Sequence, residues 1–374
     1  MIKKTSDKIV VVTRMTALEE LIERMNSREQ ARFYIEHMGA SFDEYEAADT
    51  TYRSASALLR EALPKRIRTQ WIDRRFLPNF TFGEHDLVVT LGPDGLVVNT
   101  AKYLDGQPLL AFNPDSTRID GLLVPFSVAH AETLILLALA SELHASQVTM
   151  ARATLSDGQT LDAVNDLFIG QKTHTSARYT IRRGDLEETQ SSSGIIVSTG
   201  AGSTGWLRSV ITGAASLVES KTGWNGCQAL RENYRFDREA ERLVYSVREP
   251  FVSKISAANL VHGLIDTRNP FDVISRMPQN GVIFSDGVEE DHLDFNSGAT
   301  ARIEVAPRKL NLLISSGAKE RAEWNAGQSH EGAEIEQTTI NQITGRFETQ
   351  SVARRGTMSR PGGPWSMKDD VGAR

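Results

Sequence analysis

The feature that most constrains the fold is the segment Asp86–Leu91, a nearly continuous apolar run that leads directly into a glycine-rich turn. A short run of this composition is typical of a strand covered on both faces, as the strands of parallel sheets are. The turn is Gly92-Pro93-Asp94-Gly95, and the apolar spacing of Leu96–Leu104 is compatible with a helix. Strand, turn and helix in this order predict one unit of a parallel α/β layer.

The same alternation of strand and helix signals extends over the first third of the chain. Strand signals are found at Ile9–Val12 and Leu109–Phe112, and helical spacing of apolar residues at Ala17–Met25, Arg28–Met38 and Arg53–Leu63. Alternating strands and helices favour βαβ units, because parallel strands are usually joined by a helix. We therefore predict an N-terminal α/β domain with a parallel sheet over residues 1–127.

A different pattern follows the helix predicted at Ala131–Leu143. Short β-rich runs now alternate with turn pairs such as Asp157-Gly158, Gly184-Asp185 and Asn280-Gly281, which favour antiparallel pairing. The runs are Val148–Leu155, Ala177–Arg182, Gly194–Thr199, Val282–Ser285, Ala301–Val305 and Leu310–Ser315. We predict a C-terminal, mostly antiparallel β domain over residues 128–317. Few aliphatic residues follow it, so we expect a disordered tail over residues 318–374.

Composition excludes several classes of partner and site. The net charge of −6 argues against a long polyanion, so no nucleic acid is expected as a partner. The single cysteine, Cys227, excludes an intrachain disulfide, a four-thiolate zinc site and a thiolate-held iron–sulfur cluster. The longest apolar run, Leu134–Ala140, is too short to span a bilayer, and no apolar signal core follows the N-terminus. We expect a cytoplasmic protein without a membrane partner.

The first candidate site is the turn around Asp94. Glycines at the carboxyl end of a buried strand allow a ligand to approach the backbone, and the amides that begin the next helix attract anions. A carboxylate at such a place needs a metal ion or a proton to move. Both needs arise in phosphoryl transfer, where a base serves the attacking hydroxyl. The alternative is an ordinary turn, because Pro-Asp-Gly is a common turn sequence.

Two further segments carry polar side chains at turns. In Asn165-Asp166, an amide beside a carboxylate could clamp two hydroxyls of a sugar; the alternative is an Asx turn or cap. Gly194–Trp206 runs from a strand into small and hydroxylic residues. Its three glycines, Gly200, Gly202 and Gly205, also match the Gly-x-Gly-x-x-Gly pattern of dinucleotide-binding folds, with Glu219 near the spacing of the ribose-binding acid. We disfavour that interpretation, because Glu219 lies within a helical pattern and no second strand precedes it.

In order and spacing these segments resemble the motifs of the NAD kinase family, which shares its catalytic fold with diacylglycerol and sphingosine kinases. Asp86–Leu96 resembles the family's strand and Gly-Gly-Asp-Gly-Thr motif, and Asn165-Asp166 its Asn-Glu/Asp pair. Gly194–Trp206 resembles its segment Asp-Gly-hydrophobic-Ser-Thr-Pro-Thr-Gly-Ser-Thr-Ala-Tyr, and Ser285-Asp286-Gly287 its late Asp-Gly hairpin. The similarity spans about residues 86–315, and the third motif is the most specific.

The resemblance implies a role for each matching position. Asp94 would orient or deprotonate the 2'-hydroxyl of the adenosine ribose of NAD. The remaining positions would contact the nucleotides: Gly92 and Gly95 the phosphates of ATP or NAD, Asn165 and Asp166 the adenosine or ribose hydroxyls of NAD, and Thr204, Gly205, Trp206 and Ser209 the adenine and nicotinamide. The implied reaction moves the γ-phosphate of ATP to NAD with Mg²⁺ neutralising the phosphates, which makes NADP. The family also implies a homo-oligomer, a dimer or a tetramer.

Four positions depart from the family pattern. Pro93 replaces a glycine and removes an amide donor, and Leu96 replaces a threonine and removes a hydroxyl. Ser193 stands where the family has an aspartate, and Trp206 replaces a tyrosine while keeping a stacking face. These departures keep two other hypotheses open. One is a kinase of a sugar or lipid hydroxyl on the same fold, and the other is a non-catalytic sensor that binds NAD or NADP.

Overall fold

The computed structural model of the chain describes residues 6–224 and 226–314. The tail predicted for residues 318–374 lies outside this part of the chain. The helices are α1 Ala17–Met25, α2 Arg28–His37, α3 Phe42–Ala62, α4 Asp94–Ala101, α5 Ala131–Leu139, α6 Trp206–Thr222 and α7 Gln228–Glu232.

The strands of the first part of the chain are β1 Lys8–Thr13, β2 Arg68–Asp73, β3 Leu87–Leu91, β4 Pro108–Asn113 and β5 Phe126–Ser127. Those that follow are β6 His144–Leu155, β7 Thr160–Ala163, β8 Asp166–Gln171, β9 Ala177–Arg183, β10 Leu186–Ser192, β11 Ile195–Ser198, β12 Leu243–Val247, β13 His262–Ile265, β14 Phe271–Ser275, β15 Gly281–Ser285, β16 Val288–Asp294 and β17 Thr300–Ile314.

The larger of the two sheets has a parallel part and an antiparallel part. In the parallel part the strands lie in the order β2-β1-β3-β4, with β5 beside β4. The long strand β17 pairs in parallel with β4 and antiparallel with β6 and β14, and the sheet continues through β9 to β10. The strand β7 extends the sheet beside β6.

The smaller sheet is antiparallel throughout, in the order β13-β12-β11-β8-β15-β16. The predicted fold class is therefore confirmed: a parallel α/β layer comes first in the chain, and mostly antiparallel β structure follows. All described residues fall in one compact unit, and the domain boundary placed at residue 127 stays a prediction. Within the described residues, no helix combines the length and the apolar character needed to cross a membrane.

Several predicted elements differ from the structure in their bounds. The segments Ala301–Val305 and Leu310–Ser315 were predicted as separate strands, which is wrong: residues 301–305 and 310–314 belong to the single strand β17, and Ser315 lies outside the described residues. The pairing of β17 with β6 shifts register between Val305 and Lys309, and the polar residues at this irregularity interrupt the apolar pattern of one continuous strand. The helix predicted from Arg53 begins earlier, at Phe42, because tertiary packing extends it beyond its periodic part.

One hydrophobic cluster brings the candidate segments together. It contains Leu96, Val97 and Val98 of α4, and it also contains Val164 before β8 and Ala201 after β11. These residues are distant in sequence, and burial of their side chains in one cluster fixes the turns next to them. The core thus places the start of α4, the Asn165-Asp166 pair and the glycine-rich segment around one packed centre.

Candidate active site

The turn at Asp94 offers fewer amide donors than its glycines suggest. The amide of Gly92 donates to the carbonyl of Phe112 at 3.2 Å, the amide of Leu96 donates to that of Pro93 at 2.9 Å, and proline has no N–H. The amides of Asp94 and Gly95 are left at the N-terminus of α4, where the helix dipole adds partial positive charge. The predicted phosphate-facing backbone therefore reduces to two donors.

Leu96 at this turn is a core residue. Its side chain is 2 % exposed, and its Cδ2 atom lies only 2.8 Å from where a Cβ on Gly92 would be. A side chain at position 92 would force Leu96 to shift, so the packing of Leu96 favours glycine there independently of any ligand.

The carboxylate of Asp94 is held by the loop that precedes β5. Its Oδ1 accepts a hydrogen bond from the amide of Leu123 at 2.8 Å, and its Oδ2 accepts one from the amide of Leu122 at 3.1 Å. Burial raises the pKa of Asp94 above its ordinary value, and these two amides partly oppose the rise. The amide of Val124 acts on the pKa in the same direction, so at most about one of the four or so lone-pair positions of the carboxylate remains for a substrate hydroxyl.

The Asn165-Asp166 pair lies at the start of β8 and is held through its main chain. The Asp286 side chain, at the turn between β15 and β16, accepts from the amides of Val164 at 3.0 Å, Asn165 at 2.7 Å and Asp166 at 3.2 Å. From the opposite side, the amide of Thr199 donates to the carbonyl of Asn165 at 2.9 Å. The main chain of the pair is thus held by two segments that are distant in sequence.

The side chain of Asp166 has an unsatisfied acceptor. Its Oδ1 is buried and has no hydrogen-bond partner among the described residues. Burial raises the pKa of Asp166 to about 7; the nearby charge of Asp286 adds to the rise and the Ser198 hydroxyl opposes it. A buried acceptor without a partner costs about 1–3 kcal/mol, so a ligand that donates a hydrogen bond here would relieve this cost.

The glycine-rich segment approaches the pair closely. A Cβ on Gly202 would lie 2.1 Å from the carbonyl oxygen of Asn165, and one on Gly200 equally near the carbonyl oxygen of Asp237. Both glycines are therefore needed for backbone packing. The dinucleotide-fold alternative does not hold, because β11 pairs antiparallel with both of its neighbours, whereas a βαβ unit requires parallel strands.

The four residues predicted to contact a ligand after Gly202 lie in the turn before α6 and in its first turn: Thr204, Gly205, Trp206 and Ser209. A short 3-10 turn ends at Thr204, and a Cβ on Gly205 would be 3.9 Å from Oδ2 of Asp166. Trp206 begins α6. Ser209 is exposed, and its amide donates to the carbonyl of Gly205. The structure thus brings Gly205 next to Asp166 and places Ser209 on the exposed first turn of the helix.

Trp206 is part of an aromatic stack that the sequence did not reveal. Its ring stacks on Phe168 with a centroid distance of 5.6 Å, and Phe168 stacks on Phe284 at 6.0 Å. The guanidinium carbon of Arg248 lies 5.2 Å from the centroid of the Trp206 ring. Such cation–π contacts favour one orientation of the indole. The orientation of Trp206 therefore depends on β8, β15 and the end of β12.

Lys102 and Asp286 are two further residues that the sequence did not predict as part of the site. Lys102 caps the C-terminus of α4, and its side chain is 6 % exposed. Its Nζ donates to the carbonyl of Ser285 at 3.1 Å and forms ion pairs with Asp291 at 3.2 Å and Asp286 at 4.0 Å. The Asp286-Gly287 turn was visible in the sequence, but nothing local indicated its partners.

A cleft of about 700 Å³ lies at the carboxyl ends of β1, β3 and β4. Its lining includes Arg14, Tyr45, Tyr52, Pro93 and Arg118. Crevices at this edge of a parallel sheet commonly bind ligands, and this volume is typical of a small-molecule site. Pro93 links the cleft directly to the turn at Asp94. Sequence reasoning missed it because its lining comes from segments that are distant in the chain.

Metal binding by protein side chains alone does not fit the described residues. They contain no group of three or more His, Cys, Asp or Glu side chains able to hold an ion. Magnesium usually binds through one or two carboxylates together with the phosphates of a nucleotide. A role for Mg²⁺ therefore requires that it arrive on the phosphates.

Comparison with known proteins gives structural matches only. No family model matches the chain, and no curated protein matches it in sequence. Among solved structures, it is similar to yeast NADH kinase complexed with NADH, with a TM-score of 0.53, 13% identity, and coverage of 86% of this chain and 87% of the yeast chain. It is also similar to an NAD kinase from Archaeoglobus fulgidus in complex with ATP, with a TM-score of 0.50, 14% identity, and coverage of 86% of this chain and 100% of the other. The chain therefore has an NAD kinase-like fold.

Proposed function

We propose that the chain is a kinase that transfers the γ-phosphate of ATP to the 2'-hydroxyl of NAD and so produces NADP. The observation that carries the proposal is the buried, unpartnered carboxyl oxygen of Asp166, beside Asn165, in a fold whose solved examples include kinases of NAD and NADH. A ribose presents adjacent hydroxyls, and these are the donors that such an oxygen lacks. We further expect a cytoplasmic homo-oligomer, a dimer or a tetramer.

The cleft beside Pro93 is the proposed site of ATP. Its lining carries Arg14 and Arg118 together with the carboxylates Glu44, Asp49 and Asp115, and the amides of Asp94 and Gly95 lie nearby at the N-terminus of α4. Mg²⁺ bound to the phosphates would neutralise part of their charge, which is its usual contribution to phosphoryl transfer.

Asp94 is the proposed base. Its raised pKa brings the carboxyl closer to the pH at which the enzyme works, where a general base is most effective. The amides of Leu122 and Leu123 orient it. Asn165 and Asp166 would hold the ribose, while Thr204, Gly205, Trp206 and Ser209 would line the pockets of the two bases of NAD.

A second candidate function is a non-catalytic sensor of NAD or NADP. The specific observation in its favour is that the turn at Asp94 offers few donors to a phosphate. The amide of Gly92 donates to the carbonyl of Phe112, Pro93 has no N–H, and the side chain of Leu96 is buried against Gly92. Such a site would bind a nucleotide but stabilise the transferring phosphate less well.

The test is an assay for NADP formation with ATP, Mg²⁺ and NAD. Asp94→Asn should lower kcat by about 10²–10⁴. Its NH2 group would face one of the two amides that the carboxylate accepts, so we expect a lower melting temperature but a folded protein at the assay temperature. Asp105→Asn, an exposed carboxylate beyond the other end of α4, is the matched control and should keep full activity. Full activity of Asp94→Asn would contradict the assigned base. NAD binding without turnover would favour the sensor. If ATP is consumed only when a sugar or lipid is added, the phosphate acceptor is that sugar or lipid and not NAD.

A further inference from the structure

Asp286 acts as a clamp on the segment that carries the candidate ribose ligands. It lies at the turn between β15 and β16 with a φ of 56°, and its side chain is 1 % exposed. Its two carboxylate oxygens accept three successive backbone amides, those of Val164, Asn165 and Asp166. An ionised carboxylate accepts such bonds best, since the charge roughly doubles their strength. The geometry of Asn165 and Asp166 therefore depends on a charge that comes from another hairpin.

Lys102 is the cation that faces this clamp, and both its ammonium group and its main-chain carbonyl are held by other residues. Its Nζ contacts the carbonyl of Ser285 and the carboxylates of Asp286 and Asp291. Its carbonyl accepts a hydrogen bond from Nη2 of Arg308 at 2.9 Å. A buried ammonium with these contacts has little freedom to move. Lys102 thus ties the C-terminal end of α4 to the Asp286 turn.

We infer that Lys102 is a positioning residue that keeps Asn165 and Asp166 in register with Asp94 by fixing the Asp286 clamp. Asp94 and Lys102 lie at opposite ends of the eight-residue helix α4, which is a rigid spacer of about 12 Å. One end of the helix carries the proposed base, and the other end holds the segment that would hold the ribose. The inference rests on the proposed function only for the identity of the ligand.

The charges around Asp286 determine what the loss of Lys102 would do. Asp166 on β8 and Asp291 on β16 are both acidic, and Lys102 is the cation that lowers the pKa of Asp286 against burial. With Lys102 present, that pKa is about 6. Without it the pKa of Asp286 rises further, so a larger fraction of the carboxyl is protonated at neutral pH and the amide bonds weaken. Raising the pH would ionise Asp286 again and restore them.

Amide hydrogen exchange on the full chain tests this inference without any ligand. In Lys102→Met, the amides of Val164, Asn165 and Asp166 should lose about tenfold or more of their protection at pH 7 and regain it at higher pH. Lys102→Arg should keep the protection, and Lys65→Met, at an exposed lysine, is the control. If Lys102→Met does not fold, Lys102→Gln, which can still donate to Ser285, takes its place.

Two outcomes would overturn the inference: unchanged protection of these amides, or an equal loss over all of β8 and β11 that higher pH does not reverse. Kinetics add a second measurement, because Lys102→Met should raise the KM for NAD about tenfold and leave the KM for ATP unchanged. A wild type that forms no NADP would refute the proposed function alone, since the exchange result does not depend on turnover.

Discussion

Asp166 keeps one carboxyl oxygen away from water without a hydrogen-bond donor among the described residues, and Asp286 lies close enough to raise its pKa further. Two buried acids side by side destabilise the ionised folded state, because each charge disfavours the other. Residues that lower stability in this way are commonly retained where a ligand uses them. At the scale of the residue, the proposed ribose site therefore consists of acidic groups that the ligand-free protein would hold more stably if they were neutral.

Asp166→Asn should change the pH dependence of stability. The folded-state pKa of about 7 lies above the unfolded value near 4, so the folded state binds the extra proton and wild-type stability falls as pH rises between these values. The variant lacks this loss. Denaturant unfolding should give similar stabilities near pH 4 and a gain for Asp166→Asn on the order of 4 kcal/mol at pH 8, because a shift of about three pKa units corresponds to that free energy.

The control for this prediction is Asp105→Asn, whose exposed carboxylate should leave the pH profile unchanged. A wild type and an Asp166→Asn variant with parallel profiles from pH 4 to pH 8 would show that Asp166 is not buried as described.

At the scale of the element, the short-range parts of the site were visible in the sequence. The strand β3, the turn at Asp94 and the helix α4 all follow from local composition, and Asn165-Asp166 follows from its motif. The use of Gly200 and Gly202 could not be predicted, because each meets the backbone of a segment that is distant in the chain. Their spacing matched a nucleotide-binding pattern. In the structure they instead allow the glycine-rich segment to pack closely against the backbone of Asn165 and Asp237.

Gly202→Ala should separate this packing role from ordinary helix propensity. The added Cβ would meet the Asn165 carbonyl at 2.1 Å, so we expect destabilisation of about 1–3 kcal/mol and weaker NAD binding. Gly213→Ala, on the exposed face of α6 with no atom within 4 Å of the new Cβ, should instead stabilise by about 0.5–1 kcal/mol. Thermal unfolding and calorimetric titration with NAD measure both effects. Equal effects of the two variants would contradict the prediction.

At the scale of the whole molecule, β17 joins the parallel and antiparallel parts of the larger sheet. Arg308 of this strand donates to Asp162 at 2.5 Å, and to the carbonyls of Leu104 and Lys102, each at 2.9 Å. Burial raises the pKa of Asp162, but hydrogen bonds and charges from Arg152 and Arg308 outweigh it and hold the pKa below its ordinary value. These contacts of Arg308 connect partners 146 to 206 residues apart in the chain, which no local pattern reveals.

Arg308→Ala should therefore destabilise the fold by about 1–3 kcal/mol, because it leaves two carbonyls and a buried carboxylate short of donors. Arg302 lies on the same strand as Arg308 and forms an exposed ion pair with Asp272. Arg302→Ala should lower the free energy of unfolding by only about 0–1 kcal/mol. Acid should reduce the difference between the variants, since Asp162 loses its charge as pH falls through its lowered pKa. Urea titrations at neutral and acidic pH measure this, and equal costs for both variants would refute it.

The aromatic stack on the smaller sheet has an optical consequence. The chain has five tryptophans, and Trp206 is the one that begins α6 beside the candidate ribose site, where its indole contacts Phe168 and the guanidinium of Arg248. Its emission therefore depends on whether a ligand occupies the neighbouring Gly205. Reduced nicotinamide absorbs light at the wavelengths that indole emits, so if the proposed site takes NADH, the expected label-free signal is energy transfer from Trp206.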